Sequence, residues 1–423
     1  MRKMSEIIGV ISVILFFMVS SGWAMGPERR KDQFDQNSGY LIIPAPYNYP
    51  GIGEGLMLVG YMGNIMQTST DAYIIGLTGD AEGYVSSMTE FFVIPKLVYL
   101  SASRLDIRKF GVNFYSTRGM ESEKEDYNIY VGNKYVNNEF LVTLSLFDRR
   151  METGIVFRNA TGRATEILDS EGILITKIEN PDDFHSKGNG LRLQLDLTDD
   201  FNDPRAGLRY NMSFDKSYAE EVDNPEFMTL ANGLTWYLPL MKESTMVFHL
   251  FRSDAFVSHE GNTNLERLLE ENGYAYCQFV PDQAACEQAK LEEAQNTINA
   301  NTHGTAHALG GPDRLRSYPQ GRYQAAHTLL YGTEFRWNYN TSTSNMDLYF
   351  FNDIMQAMQF VFFLEQGSVS EKQEDLGKIV RSTAGTGVRL VGGSGNVYRL
   401  EYATGDEGGE VIIMFQYPWR GVD

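Results

Sequence analysis

Several of the residue types by which a chain usually declares its chemistry are scarce here. Only two of 423 residues are cysteine and six are histidine. A zinc site needs about four ligands, and no histidine stands near Cys277 or Cys286. His303 and His307 are four apart, but in a Gly-containing stretch rather than on a convincing helix. Base is in deficit: Lys and Arg number 36 against 55 Asp and Glu, for a net charge of −19. Phosphate binding requires clustered cations, so nucleic acid is excluded as a partner. Long apolar runs are missing too. A membrane helix needs about 20 mostly apolar residues, and only residues 7–19 approach that. A bundle of membrane helices is therefore excluded. There is no G-x-S-x-G elbow and no H-E-x-x-H pair, so no positioned nucleophile or hydrolytic metal is expected. The chain reads as a non-enzyme with no cofactor and no metal.

What is present begins with an export signal. Arg2 and Lys3 precede the apolar residues 7–19, and Gly22 and Ala24 set a cleavage point before Met25, the pattern of a secretory leader over 1–24. An exported chain meets an oxidising compartment, so Cys277 and Cys286 are read as one local disulfide.

The rest alternates with period two. Leu191, Leu193, Leu195 and Leu197 are interleaved with Arg192, Gln194, Asp196 and Thr198. Leu208, Tyr210, Met212 and Phe214 are interleaved with Arg209, Asn211, Ser213 and Asp215. Such strands have one apolar and one polar face. A soluble sandwich would hide the apolar face between sheets, whereas a membrane barrel turns it to lipid and keeps the polar face inside. Three features favour the barrel. Many segments run to about ten residues, the length of a tilted membrane strand. The polar faces carry full charges (Arg192, Asp196, Arg209, Asp215, Glu334, Arg336), which suits a wet interior. Aromatic residues are 13% of the chain. Tyr61, Tyr99, Phe214, Tyr218, Trp236, Tyr237, Trp337, Tyr339, Tyr417 and Trp419 fall near strand ends, as interfacial girdles do.

Sixteen strands are expected. They cover 55–65, 71–77, 84–94, 96–107, 127–135, 139–147, 153–160 and 191–198, then 207–217, 228–238, 245–257, 328–340, 355–366, 385–391, 397–404 and 410–419. An even number puts both termini on one side. The organisation expected is a leader at 1–24, a short periplasmic segment at 25–50 and a barrel over 51–419. The connection 258–326, the sixth extracellular loop by parity, is the longest. Residues 264–271 and 284–298 within it read as short acidic helices stapled by the disulfide, and a loop of such length is functional or folded.

The end of that loop reads Leu309-Gly310-Gly311-Pro312-Asp313-Arg314-Leu315-Arg316-Ser317-Tyr318-Pro319-Gln320-Gly321-Arg322-Tyr323. Strand 12 carries Glu334-Phe335-Arg336, and strand 13 ends Phe363-Leu364-Glu365-Gln366-Gly367. These pieces resemble the BamA/TamA-type barrel of the outer-membrane assembly-factor superfamily, the bacterial surface antigen family. Residues 198–207 (TDDFNDPRAG) resemble that family's periplasmic turn, and Gly385-Thr386-Gly387-Val388-Arg389 its G-x-G-hydrophobic-R on strand 14. The resemblance spans about residues 44–419. Ser317 stands where the family has Gly, and Glu365 where it has Asp. Residues 25–50 are too few for the family's periplasmic polypeptide-transport-associated domains.

The resemblance implies an all-β, sixteen-stranded antiparallel transmembrane barrel whose sixth loop folds into the lumen. It implies a loop-to-wall cluster of Arg316, Tyr318, Gly321, Glu334, Arg336, Phe363, Glu365 and Gly367. The chemistry is coherent, because a guanidinium matches carboxylates with planar forked donors. Spacing alone would leave Arg316, Glu334 and Glu365 as separate solvated charges. The function implied is insertion or translocation of outer-membrane proteins through a lateral seam between the first and last strands, in the outer membrane of a Gram-negative type of cell. Outer-membrane lipid, client proteins and a separately encoded periplasmic protein are the partners implied. The alternative is a plugged structural barrel or a channel for a small solute or polypeptide.

Overall fold

The alternating faces resolve into one closed sheet. The computed structural model describes residues 27–30, 32–34, 38–219, 223–339, 351–352, 355–392, 397–419 and 421; the leader expected at 1–24 lies outside them. The sixteen barrel strands are β1 (Gly39–Tyr49), β2 (Gly53–Gly63), β3 (Asp71–Gly79), β4 (Glu82–Ile94), β5 (Val98–Phe114), β6 (Asn128–Leu146), β7 (Met151–Leu168) and β8 (Phe184–Thr198), followed by β9 (Gly207–Ser217), β10 (Glu226–Met241), β11 (Ser244–His259), β12 (His327–Tyr339), β13 (Met355–Ser370), β14 (Arg381–Gly392), β15 (Val397–Gly405) and β16 (Gly408–Phe415). Neighbours pair antiparallel all the way round, and β1 meets both β2 and β16. Two short pieces, Leu174–Lys177 and Phe351–Asn352, add to the edges of this cylinder.

The outward face is apolar and uncovered. Ile42, Leu56, Leu58, Phe157, Leu191, Trp236, Phe362, Leu364 and Leu400 are all exposed, while inward neighbours such as Val59, Val156, Val247, Glu334 and Glu401 are buried. A sandwich with a dry middle would show the opposite. No described helix is long and apolar enough to cross a membrane; here strands supply the crossing. The chain is an all-β transmembrane barrel.

Four expectations need correction. The barrel starts at Gly39, within the segment assigned to the periplasm and well before 51. Pro44 and Pro46 hid that strand, since proline is confined to strand edges. Its ladder with β2 is nevertheless continuous from Gly39↔Gly63 to Tyr49↔Gly53, so the positions of the two missing donors face away from β2. Second, 127–135 and 139–147 form the single strand β6. Asn137 and Asn138 read as a turn, but β5 to β7 are 17 to 19 residues long and outrun the apolar band. Beyond it polar residues can point outward, and Arg104 on β5 donates to Asn138 at 3.0 Å. The missed strand and the split strand cancel in the total. Third, the last strand ends at Phe415, not at 419. Gln416 takes a φ of 90°, and Tyr417 and Trp419 turn into the lumen, where both are buried. Fourth, the aromatic girdle is smaller than expected: Tyr218, Trp236, Trp337 and Tyr339 are exposed and Phe214 is half-buried, but Tyr61, Tyr99, Tyr237, Tyr417 and Trp419 are buried.

The β11–β12 connection holds α1 (Leu265–Glu271), a 3-10 turn (Tyr274–Phe279) and α2 (Gln283–His303). Asn264 caps α1 by accepting from Arg267 N, and Asp282 caps α2 by accepting from Ala285 N, each satisfying a donor that a helix end leaves open. The Cys277–Cys286 disulfide joins the turn to α2.

At the opposite mouth an N-terminal arm crosses the short turns. Arg30 reaches Asp200 at 2.9 Å, Asp203 at 3.3 Å and Asp199 at 3.4 Å, all in the β8–β9 turn. Phe34 packs on Phe92, and the Arg149 guanidinium lies between Phe34 and Phe201. Burial works to raise the Asp203 carboxyl, but Arg205 and Arg30 outweigh it and hold the group below its usual range. A depressed carboxyl contributes stability that is fully present above its unfolded value of ~3.9 and is lost as pH falls through the lower native value. A dye on Glu28→Cys should therefore stay immobile from pH 7 to pH 5 and gain mobility only below ~pH 4. Asp203→Asn should loosen the arm at neutral pH. Release of the arm of the unaltered chain between pH 7 and 5 would show that these ion pairs do not hold it.

Candidate functional site

The site forms where the loop after α2 returns against the inner walls of β12 to β15. Its backbone is held by a bridge between Leu309 and Tyr323. Gly310, at φ 102°, keeps the turn tight, because a Cβ there would sit 2.0 Å from Pro319 O. Leu309, Leu315, Tyr318, Tyr323 and Ala325 then close over Phe251, Leu330 and Val369 of the barrel wall in one apolar cluster. Gly367 on β13 permits this approach, since a Cβ would meet Leu309 Cδ1 at 2.7 Å.

That cluster delivers Arg316 to three carboxylates. Its Nε donates to Glu365 Oε1 at 3.1 Å, and its backbone N donates to Glu365 Oε2 at 2.9 Å. One terminal nitrogen donates to Glu401 at 2.9 Å and to Glu334 at 3.3 Å. The guanidinium lies 3.4 Å from the Phe363 ring centre and 5.2 Å from Trp419. Arg389 grips Glu334 with two parallel bonds of 2.7 Å and donates to Glu401 at 2.8 Å. Arg336 donates to Glu334 at 2.6 Å. Arg399 reaches Glu401 at 3.3 Å and Asp313 of the loop at 2.8 Å. Four guanidiniums and four carboxylates thus meet with no net charge. Arg316, Arg389, Arg399 and Glu334 are completely enclosed.

Of the residues singled out in the sequence, Arg316, Glu334, Arg336, Phe363 and Glu365 lie in this network. Tyr318 packs edge-on against Tyr323 with ring centres 5.4 Å apart. Gly321, at φ 74°, makes room for nothing close by; it serves the turn, not the cluster. Sequence reasoning missed Glu401, Arg389, Arg399 and Asp313 as members. Alternation could have found two of them, because Arg399 and Glu401 share the inner side of β15 between outward Leu400 and Tyr402. Arg322 was missed as well. It binds Glu407 of the β15–β16 turn at 2.9 and 2.7 Å and Ser122 of the β5–β6 loop at 2.6 Å, pinning the loop across the mouth.

Trp419 supports the site from the other side. It stacks on His249 at 5.0 Å, with the rings 3° from parallel. It covers Gly332, where a Cβ would collide with the indole at 2.4 Å. Tyr417 donates to Asp203 at 3.1 Å, which links the tail to the turn that holds the N-terminal arm. Among the described residues, no group of three His, Cys, Asp or Glu side chains is arranged to hold a metal ion.

No protein-family model matches the chain, and no curated protein matches it. Solved structures with a similar course of chain include BamA from Haemophilus ducreyi lacking POTRA domains 1–3, at 13% identity and a TM-score of 0.47, over 90% of this chain and 70% of that one. CdiB from Escherichia coli is similar at 10% identity and a TM-score of 0.47, over 90% of this chain and 62% of that one. CdiB from Acinetobacter baumannii is similar at 11% identity and 0.48, over 90% and 60%. The chain spans about three fifths of the length of the two CdiB chains.

Removing one partner of an enclosed ion pair leaves a charge unmatched, at a cost of about 3–5 kcal/mol. Arg316→Ala is expected to lower the unfolding midpoint and to open residues 309–323 to added protease. Arg316→Lys should recover little of this, because a single ammonium cannot bridge three carboxylates as a planar fork does. Full protease resistance of the Arg316→Ala loop would show that the apolar cluster alone holds it.

Proposed function

We propose that this protein is an outer-membrane barrel that accepts β-strands at the seam between β1 and β16, in the insertion, assembly or translocation of other outer-membrane proteins. The seam carries this reading. β1 and β16 share a single register pair, Asn48↔Ile413, whereas β1 and β2 pair along the whole length of both strands. Pro44 and Pro46 remove two donors from the seam side of β1, and β16 stops after eight residues. A strand edge with unmatched donors and acceptors is a template for another strand.

The loop motif and its wall cluster agree with the family resemblance seen in the sequence. The partners this reading implies are outer-membrane lipid, client strands and a separately encoded periplasmic protein that delivers them. The protein acts without bond-making chemistry, by offering backbone hydrogen bonds at the boundary between water and lipid.

A second reading is a plugged barrel or a channel for a small solute or polypeptide. It is favoured by the filling of the lumen: the loop with Arg316 and the tail with Trp419 occupy it, and the N-terminal arm crosses the short-turn mouth. The two readings separate under a seam lock. Asn48→Cys with Ile413→Cys places a disulfide across the one register pair. Under the first reading the locked protein loses the ability to support the level of other outer-membrane proteins, and reduction restores it. Under the second, locking changes nothing, and small single-channel conductance rises once residues 309–323 are deleted. Unchanged levels of every other outer-membrane protein, both on depletion of this chain and on locking, would end the first reading.

A further inference from the structure

The outer edge of β1 is covered by two different pieces of chain. Toward the long-loop mouth Asn48 faces Ile413 of β16. Toward the short-turn mouth Tyr40 faces Asn352 and Leu41 faces Phe351. Those partners do not belong to β16. They are the two-residue strand Phe351–Asn352, from the connection between β12 and β13.

β16 leaves that place open. Continuing the antiparallel register from Asn48↔Ile413, Phe415 falls opposite Pro46, and the strand ends there. Gln416 then breaks the direction with its φ of 90°, and Tyr417 and Trp419 are committed to the lumen. The first residues of β1 therefore receive no ladder pair from β16. The segment that takes their edge suits the task. It closes the sequence Leu348-Tyr349-Phe350-Phe351, residue types that favour strands. Pro44 and Pro46 lie just beyond Leu41 and carry no backbone donor, so the chain's own segment is held there by few bonds.

We propose that Phe351–Asn352 is a built-in occupant of the strand-accepting edge: it holds the first residues of β1 against an incoming strand until a segment that matches more of the edge displaces it. This rests on the seam reading given above and adds its regulation. Occupancy by the chain's own segment lowers the apparent affinity for an outside strand by the fraction of time the edge is free. Two residue pairs are a short ladder, so a longer competing strand can win, while brief encounters are turned away.

The test uses the full chain in lipid vesicles, in a Cys277→Ser, Cys286→Ser background so that added cysteines report alone. Leu41→Cys with Phe351→Cys joins directly opposed positions, whose Cα atoms in an antiparallel pair lie ~4.5–5.5 Å apart, within disulfide reach. The probe is a dye-labelled peptide copying residues 347–352 (DLYFFN), which competes for the edge that Phe351–Asn352 takes on Tyr40 and Leu41, read by fluorescence anisotropy. The disulfide is expected to form, the oxidised protein to bind the peptide at least about tenfold more weakly than the reduced protein, and Asn352→Pro, which removes a donor from the occupant, to bind it about tenfold more tightly than the unaltered chain. Heat-dependent migration on gels confirms that each variant is a folded barrel; Tyr40→Cys with Asn352→Cys replaces the first pair if that pair does not fold. Absence of the disulfide in both pairs overturns the proposal. Equal peptide binding by oxidised and reduced protein also overturns it, and leaves the seam reading standing. A disulfide that forms in a protein that takes no peptide in any state, Asn352→Pro included, sinks the seam reading itself.

Discussion

A guanidinium with no water around it has to be neutralised where it stands, and the interior of this barrel is arranged around that demand at Arg316. Its three carboxylate partners come from β12, β13 and β15, 18, 49 and 85 residues away in sequence. Each of those carboxylates would be costly to bury alone, so Arg336, Arg389 and Arg399 are drawn in to match them. The loop cannot leave without exposing the imbalance. The apolar contacts of Leu309, Leu315 and Tyr318 exclude water from the same place, which strengthens every ion pair inside it.

The barrel is unequal around its circumference as a result. From β12 to β15 the inner wall is dry, ionic and directional. From β6 to β9 it is wetter: Arg158 spans Glu139 and Asp215, and Arg192 shares Asp215, with side chains from 16 to 33% exposed. From β1 to β3 the inner face is apolar, with Ala45, Met57 and Val59 packed among Leu41, Ile43, Ile75 and Leu77. Tyr398 and Phe415 reach this patch from across the seam. Apolar contacts have no preferred direction. One flank of the seam is therefore locked to the loop by forked bonds through β15, and the other is held by contacts that tolerate sliding. The single register pair between β1 and β16 sits at the boundary between these two regimes.

The termini obey the same economy of burial. The tail carries Trp419 under the Arg316 cluster, and the arm carries Arg30 into the acidic β8–β9 turn. Both meet at Asp203, which receives Tyr417 from the tail and Arg30 from the arm. This one carboxylate couples the two ends of the chain at the mouth opposite the long loop.

Local pattern carried the class of fold a long way. Side chains alternate along a strand whatever it pairs with, so Leu191 to Leu197 and Glu334 with Arg336 could be assigned to opposite faces from order alone. The total of sixteen strands followed from such patterns, although β1 was hidden by its prolines and β6 was divided at Asn137-Asn138. Both misreadings have one cause. Proline and paired asparagines signal breaks in an average strand, but here an edge with three register pairs among the described residues tolerates the first, and a wall rising beyond the apolar band tolerates the second. Neither condition is local.

The site divides the same way. Arg316, Glu334 and Glu365 were open to inspection through a motif and an alternation. That Glu401, Arg389, Arg399 and Asp313 join them depends on which strands become neighbours when the cylinder closes. That Tyr417 and Trp419 face inward depends on the backbone turning at Gln416. The order of residues settles which face each strand turns to lipid, because that is a property of neighbouring positions. Which charges meet inside, and how little joins the first strand to the last, is settled by closure, which brings together residues far apart in the chain.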